Sequence, residues 1–155
     1  MVTTSIASTA LAGNPFFETY KTPHQTIPFN LIKNEHYIPA FEEAIRQHNK
    51  EIETITNNSK SPTFKNTIEA LEYSGRLLDK VSSPFFNLLS AETNDELQQI
   101  AEKISPELTE HFNSIYLNDK LFQRIKIVYG QKDKLPLTPE QNMLLQQTYD
   151  AFVKN

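Results

Sequence analysis

The sequence predicts an all-α protein, an antiparallel bundle of about five or six helices preceded by an extended N-terminal arm. Three observations carry that prediction. Phe64, Ile68, Leu71, Gly75, Leu78, Ser82, Phe85 and Leu89 follow one another at alternating steps of four and three, the spacing of one helix face. Lys65, Glu69, Glu72, Arg76, Asp79 and Lys80 fall outside that stripe, whereas a strand would alternate by two. Helix-start signatures also recur along the chain, each just ahead of a new apolar stripe.

The totals narrow the function. At 155 residues one domain is the default, and a chain of this size buries about 68–70% of its unfolded surface without needing staples. The absence of cysteine removes disulfide frameworks, thiol nucleophiles and cysteine-rich zinc sites. A net charge of −4 argues against a nucleic-acid or anionic-membrane partner, which would need a basic footprint. Three glycines are too few for a phosphate-cradling loop, and neither G-x-G-x-x-G nor G-x-x-x-x-G-K occurs. No apolar run approaches the length of a membrane span.

Residues 1–12 carry no charged side chain and end in Ala10-Leu11-Ala12. The small-residue ending resembles a secretory cleavage site, but the basic region and long apolar core of a signal are missing. The segment is either a disordered start or a signal remnant, and compartment stays open between cytoplasmic and exported. Residues 13–33 are interrupted by Pro15, Pro23 and Pro28, which leaves no helical period. Phe16, Phe17, Tyr20, Ile27, Phe29 and Ile32 are too apolar for a free linker, so an extended arm anchored across the helices is expected.

Residues 34–155 form the helical domain. Its first helix is expected over 35–57, with Ile38, Phe41, Ile45, His48, Ile52 and Ile55 as its stripe, Asn34 as its N-cap and Pro39 in its first turn. The stretch 62–92 follows as one long helix or two consecutive ones. Gly75 in its interior suggests close approach of another backbone. Pro84, preceded by Ser83, predicts a kink or a restart. Thr93 and Glu96 form a capping box for a third helix to about Leu117, with a break predicted at Pro106 capped by Ser105. Asn118 and Asp119 open a short helix closed by Gly130. Thr138-Pro139-Glu140-Gln141 is a second capping box. The helix it starts shows no stop before Asn155, so the chain is expected to be truncated there and to continue in a longer parent.

Chemistry is sparse. There are four histidines, His24, His36, His48 and His111, and no H-E-x-x-H pair on a helix. His36 and His48 lie about 18 Å apart at 1.5 Å per helical residue, too far to share an ion. His48 and His111 fall on apolar stripes and read as core histidines. Glu107 and His111 are an ordinary pair one turn apart. Glu42/Glu43, Glu51/Glu53 and Glu69/Glu72 read as solvated faces. Ser74, Ser82 and Ser83 have no nucleophile context and read as packing or capping residues. Asn57-Asn58-Ser59 matches the glycosylation triplet. The expected set of catalytic, cofactor-binding and metal-ligating residues in this chain is therefore empty.

Several motifs nevertheless point to a family. Asn14-Pro15-Phe16-Phe17, Pro28-Phe29-x-x-Ile32 and Glu35-His36-Tyr37-x-Pro39-Ala40-Phe41 resemble the amino-terminal region of the thimet-oligopeptidase-like zinc metallopeptidases. So do Pro62-Thr63-Phe64-x-Asn66-Thr67-Ile68-x-Ala70-Leu71-Glu72, Phe85-Phe86-Asn87-Leu88 and Ser90-Ala91-Glu92-Thr93-Asn94. The resemblance runs from about Asn14 to Phe152 and looks closest to peptidyl-dipeptidases and oligopeptidase A; Pro84 departs from the pattern. It implies a mostly helical parent several times longer, with a deep channel between two lobes that admits short peptides. It also implies one zinc held by H-E-x-x-H and a downstream glutamate, all outside this chain. On that reading the chain is a channel-wall portion, inactive alone, whose partner is the catalytic lobe. As a fragment the chain is also expected to expose apolar surface and to self-associate; the alternatives are a stand-alone helical interaction module and a self-associating bundle.

Overall fold

The computed structural model describes residues 13–20, 29–92 and 94–154. The 1–12 segment, His24, Ile27 and Thr93 lie outside the described residues. Six α-helices are present among them: α1 (Tyr37–Thr56), α2 (Ala70–Glu72), α3 (Arg76–Ala91), α4 (Asp95–Tyr116), α5 (Asp119–Tyr129) and α6 (Pro139–Val153). No strand occurs among the described residues, so the protein is all-α.

Several boundaries differ from the sequence expectation, each for a local reason. α1 is entered through a 3-10 turn, Asn34–His36, and Asn34 does not cap it. The Asn34 amide donates instead to the Glu96 carboxylate, while the His36 ring accepts from the Lys33 backbone N–H at 3.0 Å. Pro39 is the third residue of α1, where its missing N–H costs nothing. α4 begins one residue later than a Thr93 cap implies. Asn94 supplies the oxygen, accepting from the Leu97 N–H at 2.9 Å.

The long apolar stripe is divided at Gly75, not at Pro84. Thr63 caps a π-helical turn, Phe64–Glu69, which runs into α2. The chain then turns, and Gly75 adopts φ 73°, a left-handed conformation, directly before α3. A side chain there would meet the following carbonyl, which is why this turn favours glycine. α3 continues through Pro84, and α4 through Pro106, without restart. Ser83 is therefore not a cap. Ser105 is not one either: its hydroxyl donates to the Ala101 carbonyl at 2.7 Å.

The later signals hold. Asn118 accepts from the Leu121 N–H and opens α5. Gly130 follows α5 in ordinary right-handed geometry, φ −62°. Thr138 and Gln141 satisfy each other's backbone amides at the start of α6, with Pro139 at the first position. α6 runs to Val153, and the Lys154 N–H donates to the Asp150 carbonyl in the same i to i−4 pattern.

The chain forms two compact units. The first comprises residues up to 47 and 75–108. Its core holds Phe16, Tyr37, Phe41, Leu78, Val81, Phe85, Leu97 and Ile104, all under 3% exposed. Tyr37 and Phe41 set their rings against Phe85 at centroid distances of 4.9 and 5.5 Å, in edge-on contacts that stabilise beyond area burial. Asn34 reaches Glu96 and Glu42 reaches Lys103, so α1 and α4 run in the same direction. That is what up–down–up connectivity through α3 requires. Asn14 anchors the leader: its side-chain oxygen accepts from the Phe16 N–H, and its side-chain amide donates to the His36 carbonyl.

The second unit comprises 48–74 and 109 onward. Its core holds Ile52, Ile55, Phe64, Ile68, Ile115, Leu121, Ile125, Val128, Leu145 and Phe152. Tyr129 on α5 stacks on Tyr149 of α6 at 3.8 Å, and its hydroxyl donates to Gln146.

Candidate functional site

Three polar arrangements stand out. The first is a chain of hydrogen bonds inside the second unit. The Ser74 hydroxyl donates to the Leu71 carbonyl at 2.6 Å, and His48 Nε2 lies 3.1 Å from the same oxygen. His111 Nε2 lies 2.9 Å from His48 Nδ1. Both histidines are buried, and His111 Nδ1 has no hydrogen-bond partner among the described residues. Burial, and secondarily the neighbouring His48 ring, hold the His111 pKa below the ordinary histidine value.

The second is Arg124 on α5, buried at 8% exposure. Its guanidinium donates to the Asn58 carbonyl at 2.8 Å and to the Asn66 side-chain oxygen at 3.2 Å. The third is a hollow of about 540 Å³ in the first unit, lined by Phe16, Tyr20, Leu77 and Lys80 among others. Lys80 donates there to the Phe16 and Glu18 carbonyls at 2.7 and 2.9 Å and lies over the Tyr20 ring. Burial lowers the Lys80 pKa. Its cation is committed to fastening the leader.

The remaining residues singled out from sequence lie apart from one another. Glu42, Glu51, Glu53 and Glu72 are exposed. Glu43 is half-buried and pairs with Arg46. No ion pair joins Glu107 to His111 among the described residues. Ser82 is half-buried and Ser83 exposed, and Asn57 is exposed. Sequence reasoning placed His48 and His111 in the core but did not bring them together. The signal was there: each is the polar member of an otherwise apolar stripe.

Among the described residues no group of three or more His, Asp or Glu could hold a metal ion. The His48–His111 pair does not fit a zinc ion. Its nitrogens hydrogen-bond each other instead of converging on a common point, and no third ligand stands beside them.

No family model matches the chain. Comparison with curated proteins does give relatives. The chain is 43% identical over 143 residues to the dipeptidyl carboxypeptidase of Salmonella typhimurium. It is 44% identical over 140 residues to that of Escherichia coli K12. These alignments cover 92% and 90% of the chain. Oligopeptidase A of Escherichia coli K12 is 26% identical over 102 residues, covering 66% of the chain. The chain belongs to the thimet-oligopeptidase-like peptidases. It spans about a fifth of the length of the dipeptidyl carboxypeptidases it matches, 21% in each case.

The motifs that carry the family resemblance have structural jobs. Asn14 and Phe16 fix the leader to the entrance of α1. Thr63 and Asn66 cap each other's amides, and Asn66 also donates to the Ser61 carbonyl and accepts from Arg124. Phe64, Thr67 and Ile68 are buried behind them. The family signature here is a set of folding instructions.

Proposed function

We propose that this chain is the N-terminal helical portion of a zinc peptidase of the dipeptidyl carboxypeptidase type. It forms part of the wall of a channel that admits short peptides, and it performs no hydrolysis itself. Zinc and the groups that bind it belong to polypeptide outside these residues. The observation that carries this reading is identity of 43–44% over nine-tenths of the chain. It is supported by the matched motif residues, which hold leader, loop and helices together instead of converging on a reactive centre.

The reading is tested by substitution into a relative. A hybrid in which residues 14–152 of this chain replace the aligned segment of the Escherichia coli dipeptidyl carboxypeptidase should fold and keep peptide hydrolysis within about tenfold, a loss of at most about 1.4 kcal/mol in transition-state stabilisation. A hybrid that folds and binds its metal but no longer hydrolyses peptides would overturn the reading. So would hydrolysis by the isolated chain.

A further inference from the structure

We propose that the apolar hollow between the ends of α4 and α6 and the start of α5 is a docking surface for the remainder of the peptidase. Its occupant is a large apolar side chain flanked by a basic one. The inference rests on the reading of this chain as one portion of a longer peptidase, and it names the surface by which that portion is held.

The hollow measures about 300 Å³ and is lined by Tyr116, Leu117, Asp119, Phe122, Phe152 and Val153 among others. Its floor is aromatic. Phe152 is buried, with the Tyr116 ring edge-on to it at 5.2 Å and the Phe122 ring stacked at 6.2 Å. Its rim is open. Leu117 is 67% exposed and Val153 56%. Ile127 and Met143 are also exposed, but they line no part of the hollow, and apolar side chains scattered singly need no partner. Two exposed apolar groups around a concave aromatic floor are different. That is the form of an interface anchor site, where one large side chain is buried in a pocket. The polar groups say what flanks the anchor. Asn118 is engaged in capping α5, accepting from the Leu121 N–H. Asp119 is exposed and forms no ion pair among the described residues, so a lysine or arginine at the rim would meet it.

The occupant follows from chain length. The dipeptidyl carboxypeptidases are matched over 21% of their length, so on this reading most of the peptidase lies outside these residues. Val153 both ends α6 and lines the hollow. Polypeptide joined on there would leave from its rim. A tethered contact acts at an effective concentration on the order of millimolar, whereas a second copy of the chain must dock from its far lower bulk concentration.

Thiol labelling tests the surface, because the chain has no cysteine of its own. Leu117→Cys and Asp119→Cys are labelled in the dilute isolated chain and in the hybrid with the Escherichia coli dipeptidyl carboxypeptidase, and the labelled peptide is identified by mass spectrometry. Both positions should react at least about tenfold more slowly in the hybrid. A hybrid that hydrolyses peptides but shows less slowing than that overturns the docking surface and leaves the reading of the chain intact. A folded, metal-loaded hybrid that does not hydrolyse peptides takes down both. If the hybrid does not fold, a cysteine at the position of the Escherichia coli enzyme aligned with Leu117 is labelled in its place, against the same threshold. A hollow that reacts fast in the hybrid and is protected only when the isolated chain is concentrated belongs to a second copy, which also overturns the proposal.

Discussion

Arg124 carries a charge into the interior of the second unit, and no ion pair meets it there among the described residues. Backbone and amide oxygens solvate it instead, from the Asn58 carbonyl and from Asn66. Truncation at Arg124→Met should strand those oxygens in the interior and cost about 2–3 kcal/mol, since a hydrogen bond to a charged group is worth about 1.5–3 kcal/mol. Arg124→Lys should recover only part of that, because an ammonium cannot span both acceptors. Urea denaturation of the three proteins checks the order, and a loss below about 0.5 kcal/mol for the Met variant refutes the clamp. Tyr37 presents the opposite case. Its ring is in the first core but its hydroxyl is buried without a partner, and burial raises its pKa. Tyr37→Phe removes that unmet group while keeping the ring, so it should be neutral or stabilise by about 1 kcal/mol. A clear loss in thermal stability would mean the hydroxyl has a partner. Neither role could be read from sequence. Arg124 lies 58 or more positions from its acceptors, and a helix stripe does not say which polar member faces inward.

At the scale of elements, the stripe from Phe64 to Leu89 was legible as helical, and its division was not. Two helix breakers lie within it, and sequence alone weighs Pro84 more heavily than Gly75. The backbone decides otherwise. Gly75 takes a left-handed φ of 73°, while Pro84 sits buried in the middle of α3 and the helix tolerates the missing bond to the Lys80 carbonyl. Gly75→Ala should cost about 1–2 kcal/mol, the penalty for a Cβ in that conformation. Pro84→Ala restores a backbone donor worth up to about 3 kcal/mol and gives up part of a buried ring. It should therefore leave stability unchanged or raise it by about 1 kcal/mol. If α3 instead began at Pro84, that substitution would destabilise, so the sign of one denaturation experiment separates the two. The capping signals fared according to their chemistry. Thr138 with Gln141 and Asn118 sit where their spacing put them. Asn34 was drawn away by Glu96 from across the unit, a tertiary competitor invisible to local pattern.

For the whole molecule, composition and periodicity were enough to give an all-helical protein, because every stripe had to be buried against another helix. The two separate cores were not legible. The stripes of α1 and α4 run on without interruption while their upper and lower residues enter different clusters. The buried polar side chains Asn14, His48 and Arg124 bond to backbone or to other side chains. Folding should accordingly not depend on a metal. The thermal unfolding midpoint should be the same, within about 1 °C, with excess chelator or with one equivalent of zinc, because a ligand stabilises only as far as it binds the native state. Under the same conditions the isolated chain should release no product from short peptides. A midpoint that rises with zinc and saturates at one equivalent would show that the chain assembles a ligand set of its own, against the proposal that this segment binds no metal.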